Sequence, residues 1–207
     1  MSGHEAILIP GGLYEDIGAF EFWIRSGVVQ GLFDVGIKAR PIDRLLSPRS
    51  WAEDADAVLS AIKVSCKEPA VLVAASNGCS TAVRIAVDHP EWVRKLILCW
   101  PATADDPEID RHHRDLITST AGRGVAQLLL DGVTMRGVTD RELSELEIPT
   151  VIIPSNPENS QHRWYTIESL SSIIPGSIVT DGFPESPRPE FADFLDYFVV
   201  TLVKHIQ

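Results

Sequence analysis

The sequence has little cysteine and no long apolar run, and both absences narrow the class of protein. The three cysteines Cys66, Cys79 and Cys99 are an odd number without the C-x-x-C spacing of zinc sites, which argues against a disulfide framework or structural zinc. No stretch approaches the ~20 consecutive apolar residues of a membrane span. The first residues also lack the basic region and apolar core of a secretion signal. We therefore expect a cytoplasmic protein.

Positive charge is also scarce. The chain has 18 Lys and Arg against 29 Asp and Glu, which gives a formal net charge of −11. A surface of this sign repels phosphate backbones and anionic lipids, so we expect neither nucleic acid nor a membrane as partner. No motif indicates a metal, a nucleotide or a flavin, and no cofactor is expected. The expected partner is a small-molecule substrate, and a homodimer stays open beside a monomer.

Short apolar runs alternate with helical patterns along all 207 residues. The runs that predict strands cover 6–9, 36–41, 70–75, 95–100, 148–153 and 177–180. Helices are expected at about 17–33, 50–64, 79–87 and 189–206. This alternation predicts one domain, 1–207, of the α/β class, with a mostly parallel sheet covered by helices on both faces. Residues 102–147 carry only helical patterns, which we interpret as a small helical lid.

Ser76 lies where the apolar run 70–75 meets the following helix. Ala74 precedes it by two positions and Gly78 follows it by two, which is the small-x-Ser-x-small form of a nucleophile elbow. The turn of an elbow is so sharp that larger flanking side chains would collide, and its serine takes a strained backbone conformation. We therefore expect the Ser76 hydroxyl above the sheet edge, at the positive end of a helix.

With this elbow, the chain resembles the α/β-hydrolase superfamily over nearly its whole length. Pro10-Gly11-Gly12-Leu13 is similar to the turn that supplies one oxyanion-hole amide in that superfamily. Residues 89–98 resemble the link from the elbow helix to the next strand, and 148–154 resemble the strand before the catalytic acid. The resemblance implies an α/β-hydrolase fold, Ser76 as nucleophile, and an oxyanion hole at Gly12, Leu13 and Asn77.

The catalytic base and acid depart from the superfamily's pattern, in which the histidine follows the last strand. The loop 181–189 contains no histidine, and Asn156 stands near the expected position of the acid. Glu158 is the one carboxylate in that acid loop, and His162 follows it. We therefore predict His162 as the general base of Ser76, oriented by Glu158.

Other residues are alternatives for the same roles. His162 also fits a surface histidine that opens a helix, while His112 and His113 are candidates from the lid. Glu185, near the place of the missing histidine, would act as a base if burial raised its pKa. Trp100 is expected as a pocket wall because it ends a strand at the active edge, although tryptophans are more often core residues.

These features together predict a cofactor-independent serine hydrolase. The expected substrate is a small hydrophobic carboxylic ester, lactone or thioester, hydrolysed through an acyl-enzyme on Ser76. One alternative is a lyase, cyclase or isomerase that uses the oxyanion hole without a full triad. A catalytically inactive ligand-binding homologue is the other, because a fold alone does not establish chemistry.

Overall fold

A computed structural model of the protein describes residues 5–207, and within them six strands form one parallel sheet. The strands are β1 (Glu5–Ile9), β2 (Lys38–Pro41), β3 (Ala70–Ala75), β4 (Val93–Cys99), β5 (Thr150–Ile153) and β6 (Ile178–Val179). Their order across the sheet is β2-β1-β3-β4-β5-β6. Every predicted strand is therefore present, at bounds within a few residues of those expected. In residues 5–207, no helix combines the length and apolar character needed to cross a bilayer.

Eight α-helices accompany these strands in the described part of the chain. They are α1 (Val28–Asp34), α2 (Trp51–Ser65), α3 (Gly78–Asp88), α4 (Pro107–Ala121), α5 (Arg123–Leu130), α6 (Asp140–Ser144), α7 (Trp164–Ile173) and α8 (Leu195–Ile206). The predicted helix 189–206 begins as a 3-10 turn, Pro189–Phe194, before α8. This adjustment leaves its position in the fold unchanged.

Alternate residues of each central strand face two separate hydrophobic cores. Ile7 and Leu72 belong to a core that includes α2 and α3, whereas Leu8 and Val73 belong to one that includes α1 and α8. Successive side chains of a strand point to opposite faces, so a strand covered on both faces must be apolar throughout. This explains why 70–75 is an unbroken apolar run, and all six of its residues are buried.

The helix predicted at 17–33 is wrong in its continuity. A π-helical turn, Phe20–Ile24, is separated from α1 by Gly27, whose φ is 87°. A Cβ at this position would also lie 2.8 Å from the Leu195 side chain. Because φ in this range is unfavourable for residues with a Cβ, the glycine sets the break.

Residues 102–147, all within the described chain, contain α4, α5 and α6. A third hydrophobic cluster joins α4 and α5 to Leu13 and to Trp51 of α2. The indole N–H of Trp51 donates a 3.0 Å hydrogen bond to the Leu129 carbonyl. The segment thus packs directly beside the turn that follows β1.

Candidate active site

Ser76 occupies a strained position between β3 and α3. Its φ is 50°, in the left-handed region that costs a non-glycine residue about 1–3 kcal/mol. The Ser76 amide donates to the Cys99 carbonyl at 3.0 Å, and the Ser76 carbonyl accepts from the Cys79 amide at 3.0 Å. These bonds to β4 and α3 hold the turn, and strain of this kind is typical of a nucleophile elbow.

Close backbone packing explains the glycines around Ser76. A Cβ on Gly78 would lie 2.3 Å from the Pro10 carbonyl oxygen, and one on Gly11 would lie 2.9 Å from the Ser76 Cβ. Both distances are shorter than any normal contact, so neither position tolerates even alanine without a backbone shift. The turn at Ser76 therefore packs closely against the segment Pro10–Leu13. We call this segment the oxyanion loop, after the role that the sequence resemblance predicts for it.

The imidazole of His162 lies against the serine, with Nε2 2.9 Å from Ser76 Oγ. His162 belongs to the loop between β5 and α7, and its neighbours are fixed to Thr103 after β4. The Gln161 carbonyl accepts from the Thr103 amide at 2.8 Å, and the Arg163 amide donates to Thr103 Oγ1 at 3.0 Å. These bonds turn the loop back toward the elbow.

The other ring nitrogen of His162 contacts Glu185, in the loop after β6. His162 Nδ1 lies 2.9 Å from Glu185 Oε1, and the Asn159 side-chain amide donates to the same oxygen. Ser155 Oγ is 2.6 Å from Oε1, and Arg188 Nε is 2.9 Å from Oε2. The Glu185 side chain is 6% exposed. Four donors around one buried carboxylate hold it as the partner of His162.

This environment keeps Glu185 ionised and determines which ring nitrogen of His162 faces it as a donor. Burial, the largest single influence, would raise the pKa of Glu185, but the hydrogen bonds from His162 and Ser155, the electrostatic attraction of His162 and a backbone hydrogen bond together lower that pKa to about 2. An ionised carboxylate only accepts hydrogen bonds, so His162 Nδ1 must carry a proton. In the neutral imidazole, Nε2 then presents its lone pair to the Ser76 hydroxyl. The lowered pKa contradicts the alternative in which burial raises the pKa of Glu185 and makes it a base.

Glu158 is not where the sequence analysis expects the acid that orients His162. Its Oε2 accepts a 2.7 Å hydrogen bond from the Trp164 amide, the first residue of α7. A carboxylate is favoured there because the first amides of a helix lack intrahelical acceptors and carry positive partial charge. Glu158 thus caps the helix, and Glu185 occupies the position next to His162.

Relative to the superfamily's order, the histidine and the acid have exchanged loops. His162 is in the loop after β5, where the acid is expected, and Glu185 is in the loop after β6, where the histidine is expected. These loops adjoin because β5 and β6 pair in parallel and the pairing continues at Ser155 and Phe183. Side chains from either loop therefore reach the same space.

The two histidines of the segment predicted as a lid, His112 and His113, lie in different environments. His112 is exposed, whereas His113 is buried and lines a narrow cavity together with Ser76. His113 Nδ1 lies 3.2 Å from the Ile109 carbonyl, and Nε2 lies 4.0 Å from Glu15. Burial lowers the pKa of His113, which favours its neutral form. Neither ring takes the place beside Ser76 Oγ that His162 holds.

The expected oxyanion-hole residues surround the elbow. Gly12 lines the cavity at Ser76, and Leu13 and Asn77 are buried. Within residues 5–207, the amides of Leu13 and Asn77 donate to no protein acceptor.

The Asn77 side-chain oxygen accepts a 2.8 Å hydrogen bond from Arg136 Nη1. Sequence analysis missed Arg136, a residue of the segment 102–147 that is 2% exposed and paired with Asp110 at 2.9 Å.

A cavity of about 150 Å³ opens at Ser76, His162 and Glu185. Gly12, Ile17, Phe22 and Trp100 contribute its less polar walls. Trp100 is also a core residue, as its indole N–H donates to the Phe183 carbonyl at 3.0 Å and its ring stacks on Phe198.

A larger cavity, about 320 Å³, lies along the oxyanion loop and Arg44, but Ser76 does not line it. Of the cavities that Ser76 lines, the one of about 150 Å³ is larger than the narrow one of about 20 Å³ beside His113, and it is the better candidate to hold a substrate.

The chain has the α/β-hydrolase fold. Among solved structures it is similar to a meta-cleavage product hydrolase, CumD, from Pseudomonas fluorescens, with a TM-score of 0.72 and 15% identity over 99% of this chain and 92% of that chain. A putative non-heme bromoperoxidase, BpoC, from Mycobacterium tuberculosis gives 0.72 and 11% over 100% and 94%. The carboxylesterase CesB from Bacillus subtilis gives 0.63 and 15% over 98% and 83%. No protein-family model and no curated protein matches the chain.

Proposed function

We propose that this protein is a serine hydrolase of small carboxylic esters, lactones or thioesters, with Ser76, His162 and Glu185 as its catalytic triad. The observation that carries the proposal is the continuous chain of contacts from Ser76 Oγ to His162 Nε2 and from His162 Nδ1 to Glu185, each 2.9 Å long. Nucleophile, base and orienting acid within hydrogen-bond reach are the recognised signature of an activated serine.

In the proposed reaction, Ser76 Oγ attacks the carbonyl carbon while its proton passes to His162 Nε2. The carbonyl oxygen becomes an oxyanion that accepts hydrogen bonds from the Leu13 and Asn77 amides. When the tetrahedral intermediate collapses, His162 gives the proton to the leaving alcohol or thiol, and the acyl group stays on Ser76. A water then repeats the sequence and releases the carboxylic acid. Glu185 stabilises the imidazolium in both halves without taking the proton.

The dimensions of the cavity favour a small substrate. Its volume of about 150 Å³ is below the ~300–1,000 Å³ of pockets for drug-sized ligands and equals about five liquid waters. Ile17, Phe22 and Trp100 offer apolar surface to an acyl chain of a few carbons. We therefore expect acetyl to butyryl esters to be hydrolysed faster than esters of long fatty acids.

The test is hydrolysis of p-nitrophenyl acetate, butyrate and decanoate by the wild-type chain and by Ser76→Ala. Wild type should hydrolyse the two short esters, and Ser76→Ala should retain less than about 1% of that activity. His112→Ala provides a matched control on an exposed histidine and should retain full activity. Undiminished hydrolysis by Ser76→Ala would refute the proposal.

The non-hydrolytic alternative depended on the lack of a histidine after the last strand. His162 removes that support because it supplies a ring nitrogen 2.9 Å from Ser76 Oγ by way of a different loop. The site therefore gives no specific reason to prefer a lyase, an isomerase or an inactive binding protein.

A further inference from the structure

A buried ion pair supports the backbone of the oxyanion loop. Arg44, after β2, places Nε 2.8 Å from Asp54 Oδ2 of α2, and the side chains of Arg44 and Asp54 are 5% and 0% exposed. Arg44 Nη1 donates to the Gly12 carbonyl at 2.7 Å and approaches the Gly11 carbonyl at 3.3 Å. The guanidinium thus connects a buried carboxylate with the backbone of the oxyanion loop.

The same carboxylate is bound to the elbow helix. The Thr81 hydroxyl of α3 donates to Asp54 Oδ2, and the Leu45 amide donates to Oδ1 at 3.0 Å. One carboxylate therefore ties α3, which begins two residues after Ser76, to the arginine that holds the Gly12 carbonyl. Asp54 therefore connects the segment that carries the Leu13 amide with the helix that follows Asn77.

The hydrogen bond from Arg44 to the Gly12 carbonyl also fixes the direction of the Leu13 amide. In a trans peptide the C=O and N–H point in opposite directions, so a Gly12 carbonyl aimed at Arg44 leaves the Leu13 amide aimed away from Arg44. Arg44 and Leu13 line the larger cavity and Ser76 lines the smaller one, while Gly12 lines both. The Leu13 amide therefore points away from Arg44 and has no protein acceptor within residues 5–207. The loop that carries it packs against Ser76, since a Cβ on Gly11 would lie 2.9 Å from the Ser76 Cβ.

We infer that Arg44, supported by Asp54 and Thr81, is a positioning residue that aims the Leu13 amide at the developing oxyanion. The inference rests on the proposed hydrolase function, because it concerns the oxyanion of that reaction. Arg44 contacts no reacting atom, so its effect belongs to the transition state and should change kcat much more than KM.

Arg44→Lys tests this role because lysine keeps the positive charge beside Asp54 but lacks the planar fork that reaches Asp54 and the Gly12 carbonyl together. The matched control is Arg84→Lys, since Arg84 also joins carboxylates, Asp88 and Glu142, and approaches the Gly137 carbonyl at 3.4 Å. Turnover of p-nitrophenyl butyrate is measured per site titrated with a fluorophosphonate. Inhibition by an alkyl trifluoromethyl ketone, which forms an oxyanion on Ser76, is measured alongside.

For Arg44→Lys we expect kcat to fall by at least ~10-fold with KM within about 3-fold, as for a misplaced oxyanion donor. The inhibition constant of the trifluoromethyl ketone should rise in parallel with the loss of kcat/KM. Arg84→Lys should change each quantity by less than about 3-fold. A fall in the number of titrated sites with unchanged kcat per site would show a purely structural role and overturn the inference.

If Arg44→Lys does not fold, Thr81→Val decides, because valine keeps the shape of threonine and removes only its hydroxyl. A kcat per site lowered by at least ~3-fold at constant KM supports the inference, and an unchanged kcat overturns it. A wild-type chain that is neither labelled nor active would instead refute the proposed function. If the wild-type chain is active and Arg44→Lys and Thr81→Val have the same kcat as wild type, only the role of Arg44 is refuted.

Discussion

Replacing Glu185 with glutamine should separate the two carboxylates that the sequence offers as partners of His162. Glutamine keeps the size of the side chain but removes the charge that accepts from His162 Nδ1. Its amide nitrogen can also face Nδ1 as a donor, which favours the tautomer with the proton on Nε2. Both changes leave Ser76 without a base of the correct form.

The structure gives a magnitude for this loss. Lowering the pKa of Glu185 from 4.5 to about 2 corresponds to about 3 kcal/mol of stabilisation of the carboxylate by its surroundings, with His162 a main contributor. His162 and Ser155 share this stabilisation. The same charge stabilises the imidazolium formed in the transition state, where a loss of about 3 kcal/mol corresponds to about 100-fold in rate. The tautomer adds to this effect, so we expect kcat to fall between about 10² and 10⁴-fold.

The assay is the initial rate of p-nitrophenyl butyrate hydrolysis, with Glu158→Gln as the control. That variant makes the same chemical change in the loop that carries His162, but Glu158 caps α7 through the Trp164 amide. It should lose about 0.5–1 kcal/mol of stability and less than about 3-fold in kcat. Equal losses in the two variants, or a larger loss in Glu158→Gln, would refute the assignment of Glu185.

Three further predictions follow from the same contacts. In steady-state kinetics at neutral pH, His162→Ala should lower kcat by at least ~100-fold, whereas His113→Ala should lower it by less than about 10-fold. A larger loss of kcat in His113→Ala than in His162→Ala would identify His113 as the base. Because folding lowers the pKa of Glu185 to about 2, its ionised form stabilises the protein above pH 4.5, and this contribution of about 3 kcal/mol should disappear as pH falls from 4.5 toward about 2. Denaturant unfolding of wild type and Glu185→Gln should therefore converge across that window, and a constant difference would contradict the pKa. Gly78→Ala should destabilise the fold and abolish activity because its Cβ would lie 2.3 Å from the Pro10 carbonyl, whereas Gly124→Ala in open space should leave the melting temperature unchanged or higher.

The sheet could be predicted because its residues carry a local signal. The run 70–75 must be apolar at every position to fit between two helical layers, and Gly78 must be small to pass Pro10. Both requirements are visible in the sequence without knowledge of distant contacts. The break at Gly27 was not predicted, since the flanking residues keep a helical pattern on either side of it.

Nearness in sequence favours Glu158 as the partner of His162, whereas nearness in the sheet brings Glu185 to it. Glu158 precedes His162 by four residues, but it is drawn to the free amides of α7. Glu185 is 23 residues beyond His162 and meets it because β5 and β6 are neighbours. The available signal was the parallel order of the last two strands, which brings the loops that follow them together.

The buried charged residues around the site are harder still to predict from the sequence. Arg44, Asp54 and Arg136 are charged residues without a motif, and each is recognisable only by its burial and its partners. Buried charges are uncommon unless they are paired, so their clustering around the oxyanion loop and Asn77 becomes informative once the fold is known.

Labelling with a fluorophosphonate tests the proposed triad most directly, because the reagent requires an activated serine and marks the residue it reacts with. We expect one phosphonyl group per wild-type chain, located on Ser76 by mass spectrometry of peptides. The labelling rate should fall by at least ~100-fold in His162→Ala and Glu185→Gln and stay near the wild-type value in Glu158→Gln. Absence of labelling at Ser76 in the wild-type chain, or equal rates in all three variants, would contradict the account.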